Sequence, residues 1–226
     1  MRIVAADIYD VDVQAWKPPI VLRLITDEGL YGLGEFPLCY GTGRRSAMMM
    51  LQEMVQQFVI GADPMRIEAM WTTLFHRTFW GQGGGPVVYG GMSTIDQALW
   101  DIKGKALNAP IYDLLGGQVQ QDLHVYCNGW IGDEYAPDGN AYVETPEEYA
   151  ERAAAVVALG YDALKFDPFA APRGKGWAPR ARLLEPERGE LAYQRVRAVR
   201  EAVGPDVEVL VEVHGYLSVT DAIAWG

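Results

Sequence analysis

The chain has 226 residues, half of them hydrophobic, and a net charge of −11 at neutral pH. That is the composition of a globular protein with room for one large domain or two smaller ones. The charge argues against a nucleic-acid role, which needs a basic face for phosphate, and a carboxylate ligand would need a local cation. The only cysteines, Cys39 and Cys127, fit no zinc spacing and read as reduced thiols of a cytosolic protein. No run approaches the ~18 apolar residues that span a bilayer. The N-terminus lacks the apolar core of a signal peptide, so the expected location is cytoplasmic, with no membrane partner.

Residues 1–13 alternate loosely and predict a strand, broken by Trp16-Lys17-Pro18-Pro19. A second strand is expected over 20–26, a hairpin turn at Asp27-Glu28-Gly29, and a third strand over 30–35, making an antiparallel meander. A helix is expected over 45–59, and Asp63-Pro64 has the cap and first-turn residues of another. Ile67, Met70, Trp71, Leu74 and Phe75 would be its core face. The glycine-rich stretch 80–86 lacks the Lys-Ser/Thr ending of a phosphate loop and reads better as a connector. Residues 93–107 predict the most regular helix, with Ile95, Ala98, Leu99, Ile102 and Ala106 on one stripe. Leu114-Leu115-Gly116-Gly117 ends a short helix with a glycine cap.

From Leu123 the pattern alternates strand and helix. Strands are expected over 123–128, 161–166 and 207–213, and helices over 146–159, 189–202 and beyond Ser218. Thr145-Pro146-Glu147-Glu148 has the form of a capping box. Strand–helix repetition implies a parallel sheet, and a closed barrel of such units needs eight. Three units, the last unfinished, leave either part of a longer protein or a small open sheet. Two strands carry polar pairs at their C-terminal ends: Lys165 and Asp167 on one, Glu212 and His214 on the other. Residues two apart on a strand point to one side. Polar pairs closing apolar strands are the pattern of a parallel-barrel mouth.

The stretch 93–107, STIDQALWDIKGKAL, with Pro110 and Leu114-Leu115-Gly116-Gly117, closely resembles the enolase superfamily in its mandelate racemase and muconate lactonizing branch. Asp27-Glu28-Gly29 followed by Gly32-Leu33-Gly34-Glu35 resembles the hairpin of that family's first domain. The resemblance covers nearly the whole chain. It implies an α+β N-terminal capping domain over 1–117, followed by a partial (β/α) TIM-type barrel over 118–226. It also implies that later strands, absent from this sequence, carry further metal ligands and a His–Asp base dyad. A homo-oligomer is expected on the same ground.

The family reaction removes a proton next to a carboxylate, and Mg2+ stabilises the enediolate that results. Glu212 stands where the first metal ligand belongs. The family usually has Asp there, and the extra methylene moves the oxygen by more than ~1 Å. An ion pair with a neighbouring Lys or Arg is the alternative for Glu212. The run Val211-Glu212-Val213-His214-Gly215 resembles the Asp-x-His-Gly of acid-sugar dehydratases such as galactonate dehydratase, where the His is the general acid. Lys165 is the other catalytic candidate. A lysine acts as base only if its pKa is lowered, and Asp167 beside it would oppose that, so a cationic clamp is favoured over a base. A Lys165–Asp167 ion pair is the structural alternative. Asp167, Trp16, Lys17 and Tyr40 are the expected substrate-binding residues, the last three on two loops of the capping domain. The long loop 168–188, with Arg173, Lys175, Trp177, Arg180 and Arg182, reads equally as a lid or as a solvated connector. His76 and His124 read as structural, and Trp71 and Trp100 as core.

The expected function is thus a magnesium-dependent dehydratase of a sugar acid. A racemase, epimerase or cycloisomerase shares the enediolate step and stands as the alternative. A non-catalytic binding or oligomerisation module is the alternative of another class.

Overall fold

The computed structural model describes residues 1–11, 19–36, 43–78, 80–132, 143–169, 184–215 and 217–226. The chain divides into two compact units, Met1–Gln121 and Asp122–Gly226. Among the described residues, no helix is long and apolar enough to cross a membrane.

The first unit opens with an antiparallel sheet in the order β1 (Ile3–Asp10), β2 (Ile20–Thr26), β3 (Tyr31–Glu35). In the central strand Ile20, Leu22, Leu24 and Thr26 are buried in strict alternation, so its inward face is almost wholly apolar. Gly29, at φ 82°, turns the chain between β2 and β3 where a side chain would be strained. Four helices follow: α1 (Arg44–Met54), α2 (Ile67–Arg77), α3 (Gly85–Leu107) and α4 (Ile111–Leu114). The expected helix over 45–59 is present, but its last turn, Val55–Val59, widens to π geometry. Asp63-Pro64 does not open α2. The Asp63 carboxylate instead accepts the Met65 amide at 2.9 Å, closing a turn, and the helix starts at Ile67. On α2, Ile67, Met70 and Leu74 are buried, while Trp71 is 43% exposed and stacks on Phe75 at 4.9 Å, so it is no core residue.

The longest helix differs most from expectation. It begins at Gly85, with Pro86 in its first turn, and takes in residues read as connector. Its glycines serve packing. A Cβ on Gly90 would lie 2.6 Å from the Phe36 ring, and one on Gly91 2.9 Å from the Met54 sulfur. Ile95, Ala98, Leu99 and Ile102 are all buried, as expected, whereas Ala106 is exposed. On β3, Gly32 and Gly34 face this helix: added Cβ atoms would stand 2.0 Å from the Ala98 and Thr94 carbonyl oxygens. The same helix satisfies the outer edge of β3. Gln97 Oε1 accepts the Glu35 amide at 3.0 Å, Asp101 Oδ2 accepts the Leu33 amide at 2.9 Å, and Lys105 Nζ donates to the Tyr31 carbonyl at 2.8 Å. Residues four apart on one helix face thus occupy the hydrogen-bonding groups that an edge strand would otherwise leave open.

The second unit alternates helix and strand: α5 (Pro146–Ala158), β4 (Ala163–Phe166), α6 (Pro186–Val203), β5 (Glu208–Val211) and α7 (Val219–Trp225). β4 and β5 pair in parallel, Ala163 opposite Glu208 through Phe166 opposite Val211. The expected strand over 123–128 reduces to one bridge. Cys127 donates to the Ala163 carbonyl at 2.8 Å and accepts from the Lys165 amide at 2.9 Å, while Leu123, Val125 and Tyr126 are exposed. The expected capping box is present: Thr145 Oγ1 accepts the Glu148 amide at 3.2 Å, and Glu148 Oε2 accepts the Thr145 amide at 3.0 Å. The core gathers Trp130, Tyr149, Ala153, Val156, Leu164, Phe166 and Val199. β5 is not buried on both faces as its Val-rich sequence suggests: Glu208 and Val211 are exposed and the residues between are half-buried. Among the described residues its only strand partner is β4, so the burial that its composition suits is not present.

Candidate active site

The site lies where β4 and β5 end. Lys165 is the third residue of β4, and Asp167 follows the strand by one position. Beyond β5, Glu212 keeps the ladder for one more step, its amide donating to the Phe166 carbonyl at 2.9 Å. Then the chain turns: His214 and Gly215 adopt left-handed backbone, at φ 45° and 67°. A histidine in that region is uncommon. Glu212 supports the turn, since its Oε1 accepts the backbone amides of Val213 at 3.1 Å and His214 at 2.8 Å.

The polar side chains pair across the two strands rather than along them. Lys165 Nζ sits 2.8 Å from Glu212 Oε2, and His214 Nδ1 sits 2.9 Å from Asp167 Oδ2. The Lys165–Asp167 pair held as the structural alternative is not formed: Lys165, opposite Leu210 in the ladder, reaches diagonally to Glu212 two residues further on, which is the ion pair held as the alternative for Glu212. Hydrogen bonds from Lys165 and from the His214 amide hold the Glu212 carboxyl down at about 2. The same contact with Glu212, opposed by some desolvation and helped by Tyr126, raises Lys165 above its ordinary value. A raised lysine stays protonated near neutral pH, so the geometry suits a cation and not a base. The Tyr126 ring lies 5.6 Å from the ammonium, a residue that sequence reasoning passed over. Its signal was the register of the first bridge, which the sequence does not print.

Asp167 is 9% exposed, and both carboxylate oxygens are engaged: Oδ1 accepts the Phe169 amide at 2.8 Å and Oδ2 faces His214. Trp16, Lys17 and Tyr40 lie outside the described residues, as do Arg173, Lys175, Trp177, Arg180 and Arg182. His76 meets Gln82 at 2.9 Å and His124 meets Asp162 at 2.7 Å, both at the surface. Burial pushes the Cys127 thiol up, which makes it a poor nucleophile.

Glu212 is an ionised, hard oxygen donor and fits as one ligand of a magnesium ion. It does not make a site alone. Among the described residues, no group of three His, Cys, Asp or Glu side chains is placed to hold a metal.

A parallel strand pair with cations and carboxylates at its C-terminal ends, in a unit that follows an α+β unit, is the layout of a barrel enzyme family. The mandelate racemase / muconate lactonizing enzyme N-terminal domain family matches residues 12–116, and the enolase C-terminal domain-like family matches residues 148–226. The chain belongs to the enolase superfamily, in its mandelate racemase and muconate lactonizing branch, with an α+β N-terminal domain and part of a barrel domain. It is 34% identical over 204 residues to a D-gluconate dehydratase of Thermoproteus tenax, covering 90% of this chain and 37% of that protein. It is 32% identical over 206 residues to a D-galactonate dehydratase of Klebsiella pneumoniae (strain 342), covering 90% of this chain and 47% of that one. The chain therefore spans less than half the length of either relative. Among solved structures, a member of the enolase superfamily from Salmonella Typhimurium is 38% identical with a TM-score of 0.91, covering 99% of this chain and 57% of that one. A mandelate racemase/muconate lactonizing enzyme from Jannaschia sp. CCS1 is 30% identical with a TM-score of 0.83, covering 100% and 57%.

Proposed function

We propose that the whole protein to which these residues belong dehydrates a sugar acid. A proton leaves the carbon next to the carboxylate, giving an enediolate. The neighbouring hydroxyl then departs with a proton as water, and the enol that remains becomes a 2-keto-3-deoxy acid. The observation that carries this reading is the connected set Lys165, Glu212, His214 and Asp167 at the C-terminal ends of two parallel strands. The names of the dehydratase relatives support it.

In this reading His214 donates the proton that the leaving hydroxyl takes. An imidazole can hold and release a proton near neutral pH, whereas water is a poor acid there. Lys165 stays charged and supplies the local cation that an acidic protein needs to hold an anionic substrate. Glu212 would be one magnesium ligand, and when bound that ion polarises the substrate carboxylate and makes the α-proton easier to remove.

The test is a panel of sugar acids, supplied with magnesium and assayed for 2-keto product. Formation of that product from at least one of them is expected. Epimerised acid without any keto product would move the assignment to a racemase of the same superfamily. The metal assignment has its own check: Glu212→Gln in the whole protein should abolish turnover and weaken magnesium binding. Unchanged magnesium affinity would remove Glu212 from the ligand set.

A further inference from the structure

The geometry points to Asp167 as a positioning residue that fixes the tautomer of His214, and not as a substrate contact. This deepens the dehydratase reading and rests on it for its consequence, though not for its test. Asp167 is buried, and both its carboxylate oxygens already have a protein partner: Oδ1 accepts the Phe169 amide at 2.8 Å, and Oδ2 stands 2.9 Å from His214 Nδ1. A carboxylate that keeps one oxygen on a backbone N–H can meet an imidazole nitrogen only as acceptor. Nδ1 must therefore carry a hydrogen, and Nε2 becomes the nitrogen that exchanges a proton with substrate. After that transfer the neutral ring is left as the Nδ1–H tautomer, still bound to Asp167.

The segment around Asp167 is held more firmly than a strand end needs. Arg195, 4% exposed, donates to the Pro168 carbonyl at 2.7 Å, and Arg188 donates to the Phe169 carbonyl at 2.6 Å. Arg195 also lies 5.0 Å from the centre of the fully buried Tyr149 ring, whose hydroxyl is 3.5 Å from the Asp167 carbonyl. Two guanidinium groups thus fix the peptide units that aim the Asp167 side chain. The His214 ring comes from a turn with left-handed backbone and meets that firmly held carboxylate through Nδ1.

The experiment is long-range 1H–15N NMR of the His214 ring, without substrate, in wild type and in Asp167→Asn. It is run at a pH where further addition of base no longer moves the two ring 15N shifts. Wild type is expected to show a pyrrole-type Nδ1 and a pyridine-type Nε2. In the isosteric variant the amide oxygen can stay on the Phe169 N–H, which turns the NH2 group toward Nδ1. That nitrogen must then accept, and the pattern is expected to reverse. A pyridine-type Nδ1 in wild type, or the same pattern in both proteins, would overturn the inference. Wild type alone decides the matter if the variant does not fold. Since no substrate is present, such a result counts against the pairing and leaves the dehydratase reading to the sugar-acid assay.

Discussion

Both units place polar side chains at strand edges or ends, but for opposite purposes. In the first unit the edge of β3 is closed by Gln97, Asp101 and Lys105 of α3, and the sheet's inner face packs on that helix so closely that Gly32 and Gly34 leave no room for a methyl group. In the second unit the strand ends gather charge: Lys165 on Glu212, and His214 on Asp167. Helix α3 turns polar groups toward an edge to seal it, while β4 and β5 turn theirs toward their C-terminal ends. The difference teaches where to look for chemistry. Polar pairs that complete backbone hydrogen bonding stabilise; polar pairs that meet one another at the ends of parallel strands are available to a ligand.

This contrast can be broken by mutation. Leu99→Ala, in the fully packed helix of the first unit, is expected to cost about 2–5 kcal/mol of stability by denaturant unfolding. A loss within ~0.5 kcal/mol, the range of ordinary surface changes, would deny that this core is close-packed. Gly34→Ala is expected to cost about 1–3 kcal/mol, since the new Cβ meets a backbone oxygen that cannot rotate away. A neutral result would mean that α3 can lift from the sheet. In the second unit Thr145→Ala removes one half of the capping box and is expected to cost about 1 kcal/mol, with Thr145→Ser restoring most of it.

The smallest expected effect is the dependence of stability on acid at Glu212. Its carboxyl is depressed from 4.5 to about 2 by Lys165 and the His214 amide, so the stabilisation is present above 4.5 and lost as pH falls toward 2. The stability difference between wild type and Glu212→Gln should therefore shrink over that window. A difference that stays constant through it would mean the ion pair contributes nothing at the strand ends.

Much of this was legible in the residues. The alternation of Ile20, Leu22 and Leu24, the Asp27-Glu28-Gly29 turn, the Thr145 box and the stripe Ile95, Ala98, Leu99, Ile102 each specify a local structure through neighbours in sequence, and each is found. What misled was glycine. The glycine-rich stretch 80–86 read as connector, yet α3 starts within it at Gly85 and runs on through Gly90 and Gly91, where Phe36 and Met54 pack in the space that side chains would fill. That contact is between residues far apart in sequence, and no local rule shows it. The site follows the same division. Spacing marked Lys165, Asp167, Glu212 and His214, and the resemblance gave them roles. Their pairing came from side chains reaching diagonally across the parallel ladder, Lys165 to Glu212 and Asp167 to His214, each two residues beyond the partner in register. Tyr126, Arg188 and Arg195 were passed over for the same reason.

The most direct measurement is turnover of a sugar acid in deuterated water by the whole protein and its His214→Asn variant. If His214 delivers the proton to the leaving hydroxyl, the variant will form no 2-keto product yet still exchange the α-proton for deuterium, because the earlier step does not use the imidazole. Dehydration by the variant at the wild-type rate would contradict the account and take His214 out of the chemistry.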